Sequence, residues 1–196
     1  MKKRIGILMI VVLGLLLSVN ASSQEVVVTK QEKKELRKQK KAARKAEKEM
    51  YDKSMHEVAF KALKDRDFVL EAHTLYNKRG YAKQVTDNLN FIAVEGDEAV
   101  LQLAFRGYGG PNGIGGITLS GRVSNIEYKT DKHGNQYLNF NVMGAVLHAD
   151  VYITLYGSNN TAEAQVNAVT TSGKLKFRGE ILPTELSSFY KSGLEY

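Results

Sequence analysis

The 196-residue chain contains no cysteine, which excludes disulfides, thiolate metal sites, a cysteine nucleophile and lipid attachment at an N-terminal cysteine. Tryptophan is absent as well, and two prolines against 17 glycines exclude a proline-rich disordered chain. Long apolar runs are scarce. The single one, residues 5–17, is 13 residues long and broken only by glycine, shorter than the roughly 20 residues that a membrane-spanning helix needs. What remains, 43% apolar and 25% charged residues, is the composition of a folded domain with an ordinary core.

The apolar run has a basic lead, Lys2, Lys3 and Arg4, and a small-residue exit at Ser18, Val19, Asn20, Ala21, Ser22 and Ser23. That order predicts a secretory signal peptide, residues 1–21, cut most simply after Ala21 or else after Ser23. The mature protein is then periplasmic or secreted, with no transmembrane anchor left after processing.

The net charge of +7 is uneven. Residues 30–53 carry 11 basic and 5 acidic side chains, a surplus of six, whereas residues 54–196 carry 14 basic and 15 acidic ones. A nucleic-acid reader needs its basic patch on the folded domain, so no nucleic-acid partner is expected. The basic segment is rich in helix formers and free of glycine and proline, and Thr29 with Glu32 has the spacing of a capping box. Residues 22–53 are therefore expected to form a charged helical lead-in. Leu36, Ala43 and Met50 recur every seven residues, too thin a stripe for a coiled coil. Such a helix is either a spacer or an adhesive for anionic envelope polymer or lipid headgroups.

Residues 54–196 are expected to form one β-rich domain. It opens on a docking helix over 54–65, where Met55, Val58, Ala59, Ala62 and Leu63 share one face and Ser54 with Glu57 offers a second capping box. From Phe68 onward the hydrophobic period becomes two. Inward rows run through Phe68, Leu70, Ala72; Ile92, Val94; Ala99, Leu101, Leu103, Phe105; and Ile117, Leu119, Gly121, Val123. Four more follow: Leu138, Phe140, Val142; Ala149, Val151, Ile153, Leu155; Ala162, Ala164, Val166; and Leu175, Phe177. Eight alternating strands with short turns predict an antiparallel meander that forms a barrel or strongly curled sheet. The small side chains of Ala162 and Ala164 mark a place for the docking helix, and residues 182–185 suggest a last helical turn.

Several strings carry a family resemblance: residues 90–97 (NFIAVEGD), 101–105 (LQLAF), 112–119 (NGIGGITL), 132–135 (KHGN), 138–142 (LNFNV), and Leu175-x-Phe177-x-Gly179-x-Ile181-x-Pro183. Together they resemble a family of small exported bacterial proteins known as domain of unknown function 4251. The likeness covers nearly the whole mature chain and implies export. It brings no catalytic residue with it.

Motifs with defined chemistry are few. The glycine-rich segment 107–116 has no lysine, is followed by a strand and fits no G-x-G-x-x-G frame, so it is not a phosphate cradle. As a loop on a rigid scaffold it offers Arg106, Tyr108 and Asn112 as ligand or partner contacts. His148 with Asp150, and Glu71 with His73, each share a strand face, but two ligands do not make a metal site. Neither metal, cofactor nor catalytic set is expected. Tyr137, Tyr152 and Tyr156 point outward on the inferred strands and form a candidate platform for stacking sugar or peptide. The expectation is a non-catalytic binding or interaction module of the cell envelope. The alternatives are a purely structural envelope scaffold or a hydrolytic enzyme without a recognisable motif. A concave pocket lined by Tyr, Arg and Asn favours binding; a closed, fully packed barrel favours a scaffold.

Overall fold

The structure is a computed structural model and describes residues 30–104, 111–146, 148–169 and 174–190. The expected signal peptide therefore lies outside the described residues. The chain divides into two compact units, Met1–Lys41 and Ala42–Tyr196. The described part of the first is helical throughout, and every one of its side chains is exposed.

One helix, α1 (Lys30–Asp65), replaces the two helical segments expected from sequence. Ser54 does not cap a new helix; its Oγ donates to the Tyr51 carbonyl at 2.8 Å. That back-bond satisfies the hydroxyl inside a continuous helix, and neither glycine nor proline is present to break it. Of the expected docking stripe, Ala59, Ala62 and Leu63 are buried while Val58 remains 36% exposed. The helix ends at Arg66, whose φ of 56° is left-handed. Its side chain meets Asp97 at 2.6 Å, and Gly96 N donates to its carbonyl at 2.7 Å.

Among the described residues nine strands follow: β1 (Asp67–Tyr76), β2 (Ala82–Gln84), β3 (Phe91–Glu95), β4 (Glu98–Leu103), β5 (Ile117–Thr130), β6 (Gln136–Met143), β7 (His148–Leu155), β8 (Thr161–Ala168) and β9 (Lys174–Pro183). All pairings are antiparallel. From β3 to β9 each strand pairs with the next in sequence, β1 pairs with β3, and β9 returns to β1. Eight strands thus close a barrel, which removes the unpaired edges of an open sheet. β2 is an addition, paired to β1 at Thr74, Leu75 and Tyr76, past the stretch that β3 occupies.

Closure depends on Gly179, which pairs with Ala72 where β1 shifts register. A Cβ at Gly179 would stand 1.8 Å from the Glu71 carbonyl oxygen. Only a residue without Cβ lets the first and last strands approach this closely. A second shift, between Ser124 and Glu127 of β5, places Asn125 at φ 52° and bends that long strand.

The barrel interior is filled. Phe68, Leu70, Phe140, Ile153, Leu155, Phe177 and Ile181 form one cluster with Ala59, Ala62 and Leu63 of α1. Ala162 and Ala164 belong to it and are fully buried, in keeping with their small size. Burying Leu63 contributes about 1.5–3 kcal/mol. Tyr128 Oη fixes the same helical turn by donating to the Leu63 carbonyl at 2.9 Å, and His56 Nδ1 donates to the Asn159 carbonyl at 3.0 Å.

A smaller apolar layer lies outside the barrel wall, where Val69, Phe91 and Ala93 are covered by Phe189. After a 3₁₀ turn at Thr184–Leu186, where a last helical turn was expected, the C-terminal segment is held across the strands. Ser187 Oγ and Ser188 N both donate to Glu71, the Phe189 ring meets Phe91 edge-on at 4.9 Å, and Gln102 Nε2 donates to the Tyr190 carbonyl at 2.6 Å.

Candidate functional site

The strand register arranges the outward side chains in rows around the barrel. One row reads Lys129, Tyr137, Thr154, Glu163, Arg178 and Thr74 across β5, β6, β7, β8, β9 and β1. The next reads Glu127, Asn139, Tyr152, Gln165, Lys176 and Tyr76. A third places Asn141, Asp150, Asn167 and Lys174 side by side. The residues between them in sequence, such as Leu138, Ile153, Ala164 and Phe177, point into the core, so the alternation that fills the barrel also builds this face.

Tyr152 is 42% exposed and stands between two amides, Asn139 and Gln165. Tyr137 lies beside it and lines an open depression of about 670 Å³ with Glu127, Tyr128, Lys129, Asp131 and Asn139. The Tyr137 hydroxyl donates to Asp131 Oδ2 at 3.1 Å. Asp131 organises the β5–β6 turn: Oδ1 accepts from His133 N at 2.8 Å and Asn135 N at 2.9 Å, and Oδ2 from Asn135 Nδ2 at 2.8 Å. Desolvation in the turn pushes this carboxyl up, but the four donated hydrogen bonds together outweigh it and lower its pKa to about 2. The same bond to Asp131, aided by desolvation, raises the pKa of the Tyr137 hydroxyl.

Further round the wall, Lys176 Nζ donates to Glu163 Oε2 at 2.8 Å, lies 5.8 Å from the Tyr76 ring centre, and has its pKa raised chiefly by the Glu163 bond. Arg178 Nη1 stands 3.9 Å from Glu163 Oε1. Tyr156 adjoins this group. Burial first, then the Glu163 charge, raises its pKa, so the phenol stays neutral through physiological pH.

The other sequence candidates lie elsewhere. Arg106 and Tyr108 fall outside the described residues. Asn112 is buried, with 3% of its surface exposed, and is committed to its own loop. Its Nδ2 donates to the Leu103 carbonyl at 2.9 Å, and its Oδ1 accepts from Ile114 N at 3.2 Å and Gly116 N at 3.0 Å. It is a clamp on the glycine loop, not a surface presented to a ligand. Gly116 must be bare there, since a Cβ would meet the Leu103 carbonyl oxygen at 1.9 Å.

Asp150 accepts from Asn141 Nδ2 at 2.5 Å, His73 Nδ1 bonds to Thr74 Oγ1 at 2.8 Å, and Glu71 holds the C-terminal segment. Among the described residues no group of three or more His, Asp and Glu side chains converges. The sequence alone does not single out Lys129, Asn139, Gln165, Lys176 or Tyr76 as site residues. The period-two pattern places most of them on the outer face, but only the strand register makes them neighbours.

Comparison with known proteins bears on identity. The family described as domain of unknown function (DUF4251) matches residues 51–181. The crystal structure of a DUF4251 family protein from Bacteroides eggerthii DSM 20697 is similar at a TM-score of 0.62 and 36% sequence identity, covering 71% of this chain and 94% of that one. No curated protein matches. A matched segment that runs from within α1 to Ile181 in β9 takes in all but the last two residues of the closed barrel, and the chain belongs to the DUF4251 family.

Proposed function

We propose that this protein is an exported, non-catalytic binding module of the cell envelope that takes a saccharide on the outer face of β6, β7 and β8. One observation carries the reading: the barrel interior is filled by its own side chains, whereas the outer wall sets Tyr137 and Tyr152 in register among Lys129, Asn139, Thr154 and Gln165. An exposed aromatic ring offers an apolar surface to the C–H face of a sugar. Flanking amides supply both donors and acceptors for its hydroxyls. The outward rows are polar and charged while the interior is apolar, the opposite of a barrel that faces lipid. Among the described residues no helix is long and apolar enough to cross a membrane.

A second reading, the purely structural envelope scaffold, is favoured by that same filled interior. Native mass spectrometry of the protein purified from its own host separates the two. The binding module is expected to carry an oligosaccharide adduct that Tyr152→Ala removes, on a chain beginning at Ser22 or Gln24. A bare chain in every preparation points to the scaffold, and a retained Met1 overturns export.

A further inference from the structure

The described part of the N-terminal unit has a feature that the barrel does not explain. Residues 30–41 contain seven cations and two acids, and they are sorted by face. At 3.6 residues per turn, Lys30, Lys33, Lys34, Arg37, Lys38 and Lys41 fall within an arc of about 140°. These six side chains line one continuous surface. Glu32 and Glu35 lie on the opposite side of the helix, with Gln39 between them. The cationic face is about 18 Å long, at 1.5 Å per residue. The same spacing recurs further along the sequence at Arg44, Lys45 and Lys48.

We infer that this face binds an anionic phospholipid bilayer surface. Sorting matters because a bilayer meets a helix from one side only. Its negative field then reaches the six cations and spares the two glutamates. A flexible polymer mesh surrounds a helix and gains nothing from the sorting. Side-chain chemistry points the same way. Five of the six cations are lysine, a hydrated point charge on a flexible stem, which suits a diffuse headgroup field. Arginine's rigid fork is the better tool for gripping individual phosphate or carboxylate groups. Leu36 is a lone large apolar residue in this stretch, so the helix rests on headgroups and does not embed in the acyl region. Binding is therefore electrostatic and short-ranged, falling off within about 10 Å at 0.1 M salt.

The test is a charge-order isomer of the full chain: Glu32→Lys, Lys33→Glu, Lys34→Glu and Glu35→Lys together. Composition and net charge are unchanged, but the face now carries four cations and two acids. Circular dichroism checks that the helix remains. Co-sedimentation uses vesicles of phosphatidylcholine with about 30% phosphatidylglycerol, and of phosphatidylcholine alone. Because each cation near an anionic leaflet contributes about fivefold in affinity, the isomer is expected to lose at least tenfold. Wild-type binding is expected to vanish at about 0.5 M salt and on phosphatidylcholine alone. Equal binding by the isomer, or equal binding to uncharged vesicles, overturns the inference. So does tighter retention by soluble dextran sulfate than by vesicles of the same anionic charge, which assigns the face to a linear polymer.

Discussion

Asp131 shows how one side chain holds a turn and positions a tyrosine on the outer face. Its carboxylate receives four hydrogen bonds, from His133, twice from Asn135, and from Tyr137, and its pKa falls from 3.8 to about 2. A carboxyl depressed by folding contributes stability that is fully present above its unfolded pKa and is lost as pH falls through its folded value. Asp131→Ala is therefore expected to melt below wild type at pH 7, with the gap closing between about pH 4 and pH 2. Thermal melts across that window check it; a gap that stays constant with pH would mean that the charge of Asp131 is not what holds the turn. The Tyr137 hydroxyl, whose ionisation the neighbouring carboxylate opposes, should titrate at lower pH in the same variant. Asn112 offers the contrasting lesson. Its sequence context, among glycines, reads equally as a ligand loop or as a clamped turn, and only the bonds to Leu103, Ile114 and Gly116 decide for the clamp.

At the scale of elements, the barrel is held shut by the pairing of β1 with β9, and Gly179 is its narrowest point. Gly179→Ala drives a methyl group into the Glu71 carbonyl and is expected to cost about 3 kcal/mol, the upper end for overpacking. Gly96 is the matched control. It has a φ of +62° in the β3–β4 turn, and a methyl group added there would have nothing within 4 Å, so alanine costs only the left-handed strain of about 1–2 kcal/mol. Urea unfolding midpoints should rank wild type above Gly96→Ala above Gly179→Ala. Equal midpoints for the two variants would show that the first and last strands can part without loss.

Eight of the nine strands are legible in the sequence because their core-facing residues alternate, which imposes period two; β1 and β3 keep that period although Val69, Phe91 and Ala93 on their outer side are buried as well, beneath Phe189. β2 is not, since all three of its residues are exposed and leave no pattern. The far half of β5 escapes for a related reason: beyond Asn125 most of its side chains are exposed. The helix reads as two because Ser54 has the chemistry of a cap, while the chain around it has no breaker. The role of Gly179 is non-local; nothing in residues 174–183 announces that β1 will lie 1.8 Å from its missing methyl.

Across the whole molecule, charge and apolar surface are partitioned by unit. Residues 30–53 carry a surplus of six positive charges, and residues 54–196 are close to neutral. The barrel spends its apolar residues on its interior and on the small layer beneath Phe189, which leaves a wall of tyrosines, amides and paired charges facing out. The alternation of the strands makes Tyr137 and Tyr152 visible in the sequence. Their amide neighbours Asn139 and Gln165 come beside Tyr152 only through the register of β6 with β7 and of β7 with β8. Saccharide binding on this wall is most directly tested by titrating the isotope-labelled protein with oligosaccharides released from its host's envelope and following backbone amide resonances. The expected result is saturable shifts concentrated at Lys129, Tyr137, Asn139, Tyr152 and Gln165, and absent in Tyr152→Ala. Shifts confined to other surfaces, or none at saturating saccharide, would contradict it.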